Sequence, residues 1–530
     1  MSEYFISADG LSYRLPNGEI LFENVGFSLS CGEKAALIGE NGAGKTTLLK
    51  IIGGELKALS GTVCLSGKIS VLPQVYESNG EIVADLLGIS ETLQALERIE
   101  NGETTAELFE RAEGHWDLAE RVGDLASSFG ISDFSLFRKL ESLSGGEKEK
   151  VLLMRQFLST SPILIFDEPT NNLDENGRML FYNKMEHSSK AMLIVSHDRE
   201  LLERVGVIFE LRQDGLRRFG GNYSFYCDAL KKERAAMENK RTALQNEAGR
   251  LSETCGKITS QFYSRARSGK KSAANKKYSK IQANAMSSSA QSSVARKVQL
   301  ISEKLDKAER QIHDLGIKLK EEKIKIPLPD KPFLKDKLFE LKNVVFSYGE
   351  KTVFNGFSLT MSGGERIRIC GANGCGKTTL IKLISGQLKP IGGTAELFGR
   401  VVYLDQSLSL LNREKTLLDN VIDLNAGIKI NDAYAVLANF GFKNESALKT
   451  VGTLSGGELL RGSLAAVLGT PKQPDLLIFD EPTNNLDIKS AQVLEEALNR
   501  YQGGLIVVSH DKAFLDALRL DREVCPLTSP

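Results

Sequence analysis

Apolar positions along the chain follow two regimes. In residues 1–222 and 337–530 they gather in short runs, among them 35–38, 164–166, 191–195, 367–370 (broken by Arg368), 477–479 and 505–508. Such runs, set between longer polar segments, predict buried strands alternating with helices. Over residues 223–336 the spacing changes. Leu230, Met237, Leu244 and Leu251 recur every seven residues, and Val298, Ile301, Leu305, Ala308, Ile312, Leu315 and Leu319 alternate three and four apart. That is the spacing of a coiled-coil seam, so two helices of ~35 residues, each about 50 Å long, are predicted to form an antiparallel hairpin. PLPDKP at 327–332 is expected to end the second helix. No apolar run nears the ~20 residues that span a bilayer, so no membrane domain is expected. The opening Met-Ser-Glu-Tyr-Phe has no positive region followed by an apolar stretch, which argues against export.

The chain also repeats itself. GENGAGKTT from Gly39 returns as GANGCGKTT from Gly371, LSGGE from Leu143 returns at Leu454, and FDEPTNNLD from Phe166 returns at Phe479. Lys45 and Lys377 lie 332 positions apart, as do Gln74 and Gln406, whereas Ser144 and Ser455 lie 311 apart. The first copy therefore carries 21 extra residues, in a polar helical insert within about 78–130. The expected fold is α/β: two P-loop nucleotide-binding domains, 1–222 and 337–530, joined by an α-helical coiled-coil hairpin linker over 223–336.

Each G-x-x-x-x-G-K-T follows a short apolar strand and precedes a helical run, the context a phosphate-binding loop requires. The loop residues are Gly39, Glu40, Asn41, Gly42, Ala43, Gly44, Lys45, Thr46 and Thr47, and Gly371, Ala372, Asn373, Gly374, Cys375, Gly376, Lys377, Thr378 and Thr379. Glycines let backbone N–H groups and a helix N-terminus converge on phosphates. Lys45 and Lys377 are then expected to neutralise the β- and γ-phosphates of ATP, with Thr46 and Thr378 on Mg2+. Asp167-Glu168 and Asp480-Glu481 end apolar strands, where a carboxylate must be solvated or metal-bound. The aspartates are placed to hold Mg2+, the glutamates to polarise the attacking water as bases. Among only five histidines, His197 and His510 follow apolar strands 29 residues beyond those glutamates, a repeat that favours a γ-phosphate-sensing role over core packing. Gln74 and Gln406 are expected to contact Mg2+ and water on the strength of their equal offset. Tyr13 and Tyr348, 26 and 23 residues before Gly39 and Gly371, sit in strands, where an aromatic either packs the core or stacks on adenine.

The 68 basic and 68 acidic residues cancel, so a polyanion partner must be sought locally. Residues 257–297 hold ten Lys/Arg and no Asp or Glu, interleaved with Phe262, Tyr263 and Tyr278. At the tip of a rigid spacer this points to nucleic-acid phosphates rather than a solvated linker. SSSAQSS within it predicts a tip disordered until bound. Seven cysteines without a CxxC pair argue against a disulfide framework or zinc module and fit a reducing cytoplasm.

The combination of phosphate loop, Gln, LSGGE, Asp-Glu, NNLD and His resembles the ATP-binding-cassette superfamily over nearly all of 1–222 and 337–530. That resemblance implies head-to-tail pairing of the two domains within one monomeric chain, the signature of one covering the ATP of the other. Ser455, Gly456 and Gly457 would then complete the site of Lys45, Thr46, Gln74, Asp167, Glu168 and His197. Ser144, Gly145 and Gly146 would complete the site of Lys377, Thr378, Gln406, Asp480, Glu481 and His510. Glu147 and Glu458 in the signatures, EPTNNLD twice and a charged linker after Gly221-Asn222-Tyr223-Ser224 are similar to the F subfamily, ATPases that act on the ribosome. The resemblance implies contact with rRNA and tRNA backbone through residues of about 257–297. The 21-residue arm surplus and the end of the chain 20 residues after His510 are more similar to members that protect ribosomes from antibiotics than to long-armed ones. General translation control and antibiotic protection both stay open. A transporter's ATP-binding subunit is a third reading, which leaves the basic hairpin unaccounted for. Lys150 stands where the second copy has Arg461, which argues against equal turnover at the two sites.

Overall fold

The computed structural model describes residues 4–72, 82–131, 134–143, 145–171, 173–274, 280–318, 336–372, 374–484 and 486–526. They form two compact units, Met1–Ser224 with Lys323–Pro530, and Phe225–Glu322.

The first cassette opens with β1 (Tyr4–Arg14), β2 (Ile20–Ser30), β3 (Lys34–Ile38), α1 (Lys45–Ile52), β4 (Ser60–Leu65) and β5 (Ile69–Leu72). Short helices follow: α2 (Val83–Leu87), α3 (Ser90–Glu100), α4 (Ala106–Ala112) and α5 (Leu118–Ser128). It continues as α6 (Gly145–Leu158), β6 (Ile163–Asp167), α7 (Glu175–His187), β7 (Ala191–Val195), α8 (Arg199–Glu203), β8 (Val207–Arg212) and β9 (Gly215–Phe219). Its main sheet runs β5-β6-β7-β3-β8-β9, parallel except at the β9 edge, beside an antiparallel sheet β2-β1-β4. Every residue of β6 and β7 is buried, as expected of uninterrupted apolar strands covered on both faces. α3 to α5 make up the polar insert, and the salt bridges among their charged side chains, such as Arg111–Glu107, are exposed.

The second cassette repeats this plan without the insert. β10 (Phe339–Tyr348), β11 (Lys351–Met361), β12 (Arg366–Ile369), α11 (Lys377–Ile384), β13 (Gly392–Leu397) and β14 (Val401–Leu404) lead to α12 (Leu417–Leu424) and α13 (Ile430–Asn439). Then come α14 (Gly456–Leu468), β15 (Leu476–Asp480), α15 (Ile488–Arg500), β16 (Gly504–Val508), α16 (Lys512–Ala517) and β17 (Arg522–Val524). In chain order, α9 (Tyr223–Ala274) and α10 (Lys280–Lys318) come between the cassettes. The parallel order is β14-β15-β16-β12-β17, beside β11-β10-β13. In both sheets the phosphate loop, the Asp-Glu pair and the histidine leave the carboxyl ends of adjacent strands, the edge where doubly wound sheets bind ligands.

Cys370 and Cys525 form a disulfide, which corrects the expectation drawn from the cysteine spacing. The parallel register pairs Ile369 with Val524, so the next residue on each strand meets its neighbour. A separation of 155 residues leaves no local signal for that pairing. The other five cysteines are free.

The hairpin unit contains most of α9 (Tyr223–Ala274) and α10 (Lys280–Lys318), 52 and 39 residues long. The seam positions Leu230, Met237, Leu244, Leu251, Val298, Ile301, Leu305, Ile312 and Leu315 are half-buried and Ala308 is buried. Gly316 lies against Arg241, the antiparallel return the spacing predicts. The helices are longer than expected and run through the basic region, with the serine-rich stretch inside α10 rather than in a disordered tip. From 280 to 297 there is neither Gly nor Pro, and Lys, Arg, Gln and Ala sustain the helix. The PLPDKP segment and Leu319 lie outside the described residues. Among the described residues no helix is long and apolar enough to cross a membrane.

Candidate functional site

The two phosphate loops connect β3 to α1 and β12 to α11. Gly44 and Gly376 cap those helices in the left-handed region, with φ of 96° and 100° and no side-chain cap, which leaves the first N–H groups open toward the loop. Space requires glycine as well as conformation. A Cβ on Gly44 would lie 2.7 Å from Leu21 and one on Gly376 2.7 Å from Val353. Gly44→Ala and Gly376→Ala are each expected to destabilise the protein by about 1–3 kcal/mol and to abolish nucleotide binding at the altered loop. Thermal unfolding and binding of a fluorescent ATP analogue check this.

Lys45 is buried, and its ammonium donates to the carbonyls of Gly39 and Glu40 at 2.8 and 3.1 Å. Burial holds its pKa below the ordinary lysine value, opposed by Glu168, Asp487 and Asp167. Lys377 donates to Gly371 O at 2.7 Å and lies 3.3 Å from His510 Nε2. Each lysine is thus folded over its own loop. The Thr46 hydroxyl donates to Asp167 at 2.8 Å, and the Thr378 hydroxyl to Asp480 at 3.4 Å. Burial raises both aspartates. A hydroxyl beside one carboxylate is a hard-oxygen donor set, and Mg2+ characteristically takes one or two carboxylates and completes its shell with phosphate and water. The residues present fit that ion.

Glu168 and Glu481 are in the left-handed backbone region, φ 52° and 48°, which non-glycine residues seldom occupy. Their N–H groups donate to Val195 O and Val508 O, so the conformation is locked by the neighbouring strand. The carboxylates lie 3.5 Å from His197 Nε2 and His510 Nε2. Burial, the largest influence, pushes Glu168 up to about 8 and Glu481 to about 7, and pushes His197 down to about 3 and His510 to about 4. The imidazoles are therefore neutral near pH 7. His197 Nδ1, His510 Nδ1 and Glu481 Oε1 are buried without a hydrogen-bond partner, an unmet demand of the kind that a polar ligand or water satisfies.

The other sequence candidates are less central. Gln406 is exposed in the turn after β14, which Asp405 organises by accepting from Ser407 and Ser409. Tyr348 is half-exposed, packs edge-on against Phe346, and its hydroxyl meets Thr379 at 3.5 Å; the Tyr13 ring lies 6.3 Å from Phe22. Gly145 and Gly146 start α6, and Gly456 and Gly457 start α14. Ser455 caps α14 by accepting from Glu458 N while Glu458 accepts from Ser455 N, so the signature glutamate is first of all a capping residue. Gln74, Ser144 and Asn373 lie outside the described residues.

Sequence reasoning missed the contacts between cassettes. Asp487 caps α15 through Ser490 N and also accepts from Asn41 N, in the first phosphate loop, at 3.0 Å. Lys489 pairs with Glu40 at 2.5 Å, Arg199 with Glu495 at 2.7 Å and Arg368 with Glu175 at 3.6 Å. Arg178 donates to His510 O at 3.4 Å. The NNLD repeat was the available signal, since it gives both copies an aspartate at a helix start. Tyr403, whose hydroxyl donates to Asp480 at 3.1 Å, was also missed; Val71 occupies its place in the first copy.

A phosphate loop at a strand end with a carboxylate pair on the next strand but one defines a P-loop nucleotide hydrolase, present here twice. The ABC transporter family matches residues 22–171 and 354–484. ABC transporter F family member 2 of Arabidopsis thaliana is 30% identical over 533 residues, covering 94% of this chain and 73% of that protein. The energy-dependent translational throttle protein EttA of Escherichia coli K12 is 30% identical over 551 residues, covering 98% and 91%. Among solved structures, an archaeal ribosome recycling factor, aABCE1, in complex with the stalk protein aP1 superposes with a TM-score of 0.58 at 19% identity, covering 97% of this chain and 87% of that one. The chain belongs to the ABC family, in its F branch, and is an ATP-hydrolysing enzyme.

Proposed function

We propose that the protein binds and hydrolyses two MgATP at composite sites between its cassettes and uses closure of the pair to act on the ribosome as a translation factor. The observation that carries the composite sites is the reach of Asp487 and Lys489 into the first phosphate loop. Such contacts make loop geometry depend on the partner cassette.

In this reading Lys45 and Lys377 leave the loop carbonyls for the β- and γ-phosphate oxygens. Thr46 with Asp167, and Thr378 with Asp480, hold Mg2+ together with Gln74 and Gln406. When bound, that ion neutralises phosphate charge. In their ionised form, Glu168 and Glu481 orient a water on the γ-phosphorus and draw its proton as the new P–O bond forms and the bond to ADP breaks. His197 and His510, being neutral, can sense the γ-phosphate without competing with lysine for it. Tyr13 and Tyr348 are placed to stack on adenine. Ser144, Gly145 and Gly146, and Ser455, Gly456 and Gly457, supply donors to the γ-phosphate from the opposite cassette. The domain limits follow the same reading: cassettes over 1–222 and 337–530, hairpin over 223–336.

The ribosome as target rests on the ten cations and no anions of 257–297, carried where two long helices reverse, and on the translational role in the name of the relative EttA. Contact with rRNA or tRNA backbone through phosphate needs no base-reading motif. Co-sedimentation with ribosomes in the presence of a non-hydrolysable ATP analogue tests it. Binding should require nucleotide and collapse as salt is raised from 50 to 200 mM, by about 10³-fold if six phosphates are contacted. Absence of binding at low salt would sink the ribosome reading and leave the ATPase standing.

A further inference from the structure

Four residues after the helix-capping aspartates the two copies differ. Arg178 follows Asp174, whereas Ala491 follows Asp487. Arg178 is 9% exposed on α7. Its Nη1 donates to the His510 carbonyl of the other cassette at 3.4 Å and lies 3.6 Å from the Asp198 carboxylate, while Nε reaches Leu173 O at 3.4 Å. A guanidinium keeps its charge when buried and presents donors in a fixed fork. Here that fork ties the start of α8 in the first cassette to the segment bearing His510 in the second. Ala491 has no group that could make the same reach toward His197.

The opposite contact is of another kind. Lys489 pairs with Glu40 of the first phosphate loop, and the equivalent positions in the other copy are Asn176 and Ala372, which cannot form an ion pair. One site is gripped at its loop by its partner cassette. The other is gripped at its histidine.

We propose that Arg178 is a positioning residue supplied in trans to the site of Lys377, Glu481 and His510, where it holds the histidine segment in register and couples turnover to pairing at that site more than at the other. The inference rests on the composite-site reading above. It differs from it in assigning unequal roles to the two cassettes.

The test isolates each site with a Glu→Gln partner. In a Glu168→Gln background, Arg178→Met is expected to lower kcat about tenfold with KM for ATP within about twofold, because the contact matters for the reacting arrangement rather than for ATP capture. Arg178→Lys should recover most of that loss. In a Glu481→Gln background the loss of kcat should be at least about fivefold smaller. An equal loss in both backgrounds, a rise in KM with kcat preserved, or no change would each overturn the assignment. Should Arg178→Met unfold, as read from its melting curve, Arg178→Gln is measured against the same outcomes. Ser144→Arg in the Glu168→Gln background separates the two levels. If it abolishes turnover while Arg178→Met leaves kcat unchanged, the Arg178 assignment alone fails; if it leaves turnover intact, the composite-site reading fails and the assignment with it.

Discussion

Replacing Glu168 and Glu481 together by glutamine is expected to lower steady-state phosphate release about 10²–10⁴-fold, the range lost when a positioned base is removed. Affinity for ATP should change little, because neither carboxylate touches the loop lysines or the threonine–aspartate pairs directly. Both glutamates are fixed by left-handed backbone and a strand hydrogen bond, so glutamine can take the same place with the same shape. A loss of less than about tenfold would move the base elsewhere.

The same variant has a second readout without nucleotide. Burial raises Glu168 to about 8 and Glu481 to about 7, above the ordinary value of an unfolded glutamate. A raised carboxyl favours the folded state at low pH, and that contribution is lost as pH rises through the folded value. Glutamine mimics the protonated form at every pH. The double variant should therefore melt roughly 5 °C or more above the unaltered protein near pH 9, converge with it as pH falls from about 8, and match it below about 4.5. A pH-independent difference would show that ionisation of these groups is not its source.

What could be read from the chain before its structure reflects the range over which each interaction is encoded. A phosphate loop is a contiguous device, and its glycines, lysine and threonine must be spaced by a few residues for one turn of backbone to surround a phosphate. It is legible for that reason, and so is a seam of seven-residue spacing. The Asp-Glu pairs were legible because a carboxylate at the end of an apolar run demands an explanation. Arg178, Asp487 and Lys489 were not legible, since their partners His510, Asn41 and Glu40 lie hundreds of residues away and only the pairing of the cassettes brings them together. Cys370 and Cys525 escaped notice for the same reason, being neighbours only through strand register. The left-handed glutamates left no trace because side-chain chemistry does not announce a backbone angle. In the hairpin, the serine-rich composition argued for disorder while the absence of Gly and Pro argued for helix, and the second argument prevailed.

Reversing the charge of Lys270, Lys271, Lys276 and Lys277 to glutamate is expected to weaken ribosome binding by on the order of 10³-fold near 0.1 M salt. Each phosphate neutralised by a protein cation releases condensed counterion and contributes about −0.9 to the slope of log affinity against log salt on a duplex, or about −0.7 on a single strand. Four lost contacts therefore flatten that slope by about 3 to 4, and the flattening is the diagnostic part. A variant that had merely distorted the hairpin would bind less without a proportionate change in slope. These lysines lie far along α9 and just beyond it, some 50 residues from its start at Tyr223, so ATP turnover without ribosomes should be unchanged. Neutral replacement by glutamine should give a smaller loss than glutamate with a similar flattening, since it removes the contacts without adding repulsion. Binding that keeps both its strength and its slope in the glutamate variant would move the phosphate contacts to another part of the molecule and free the basic tip for a different partner.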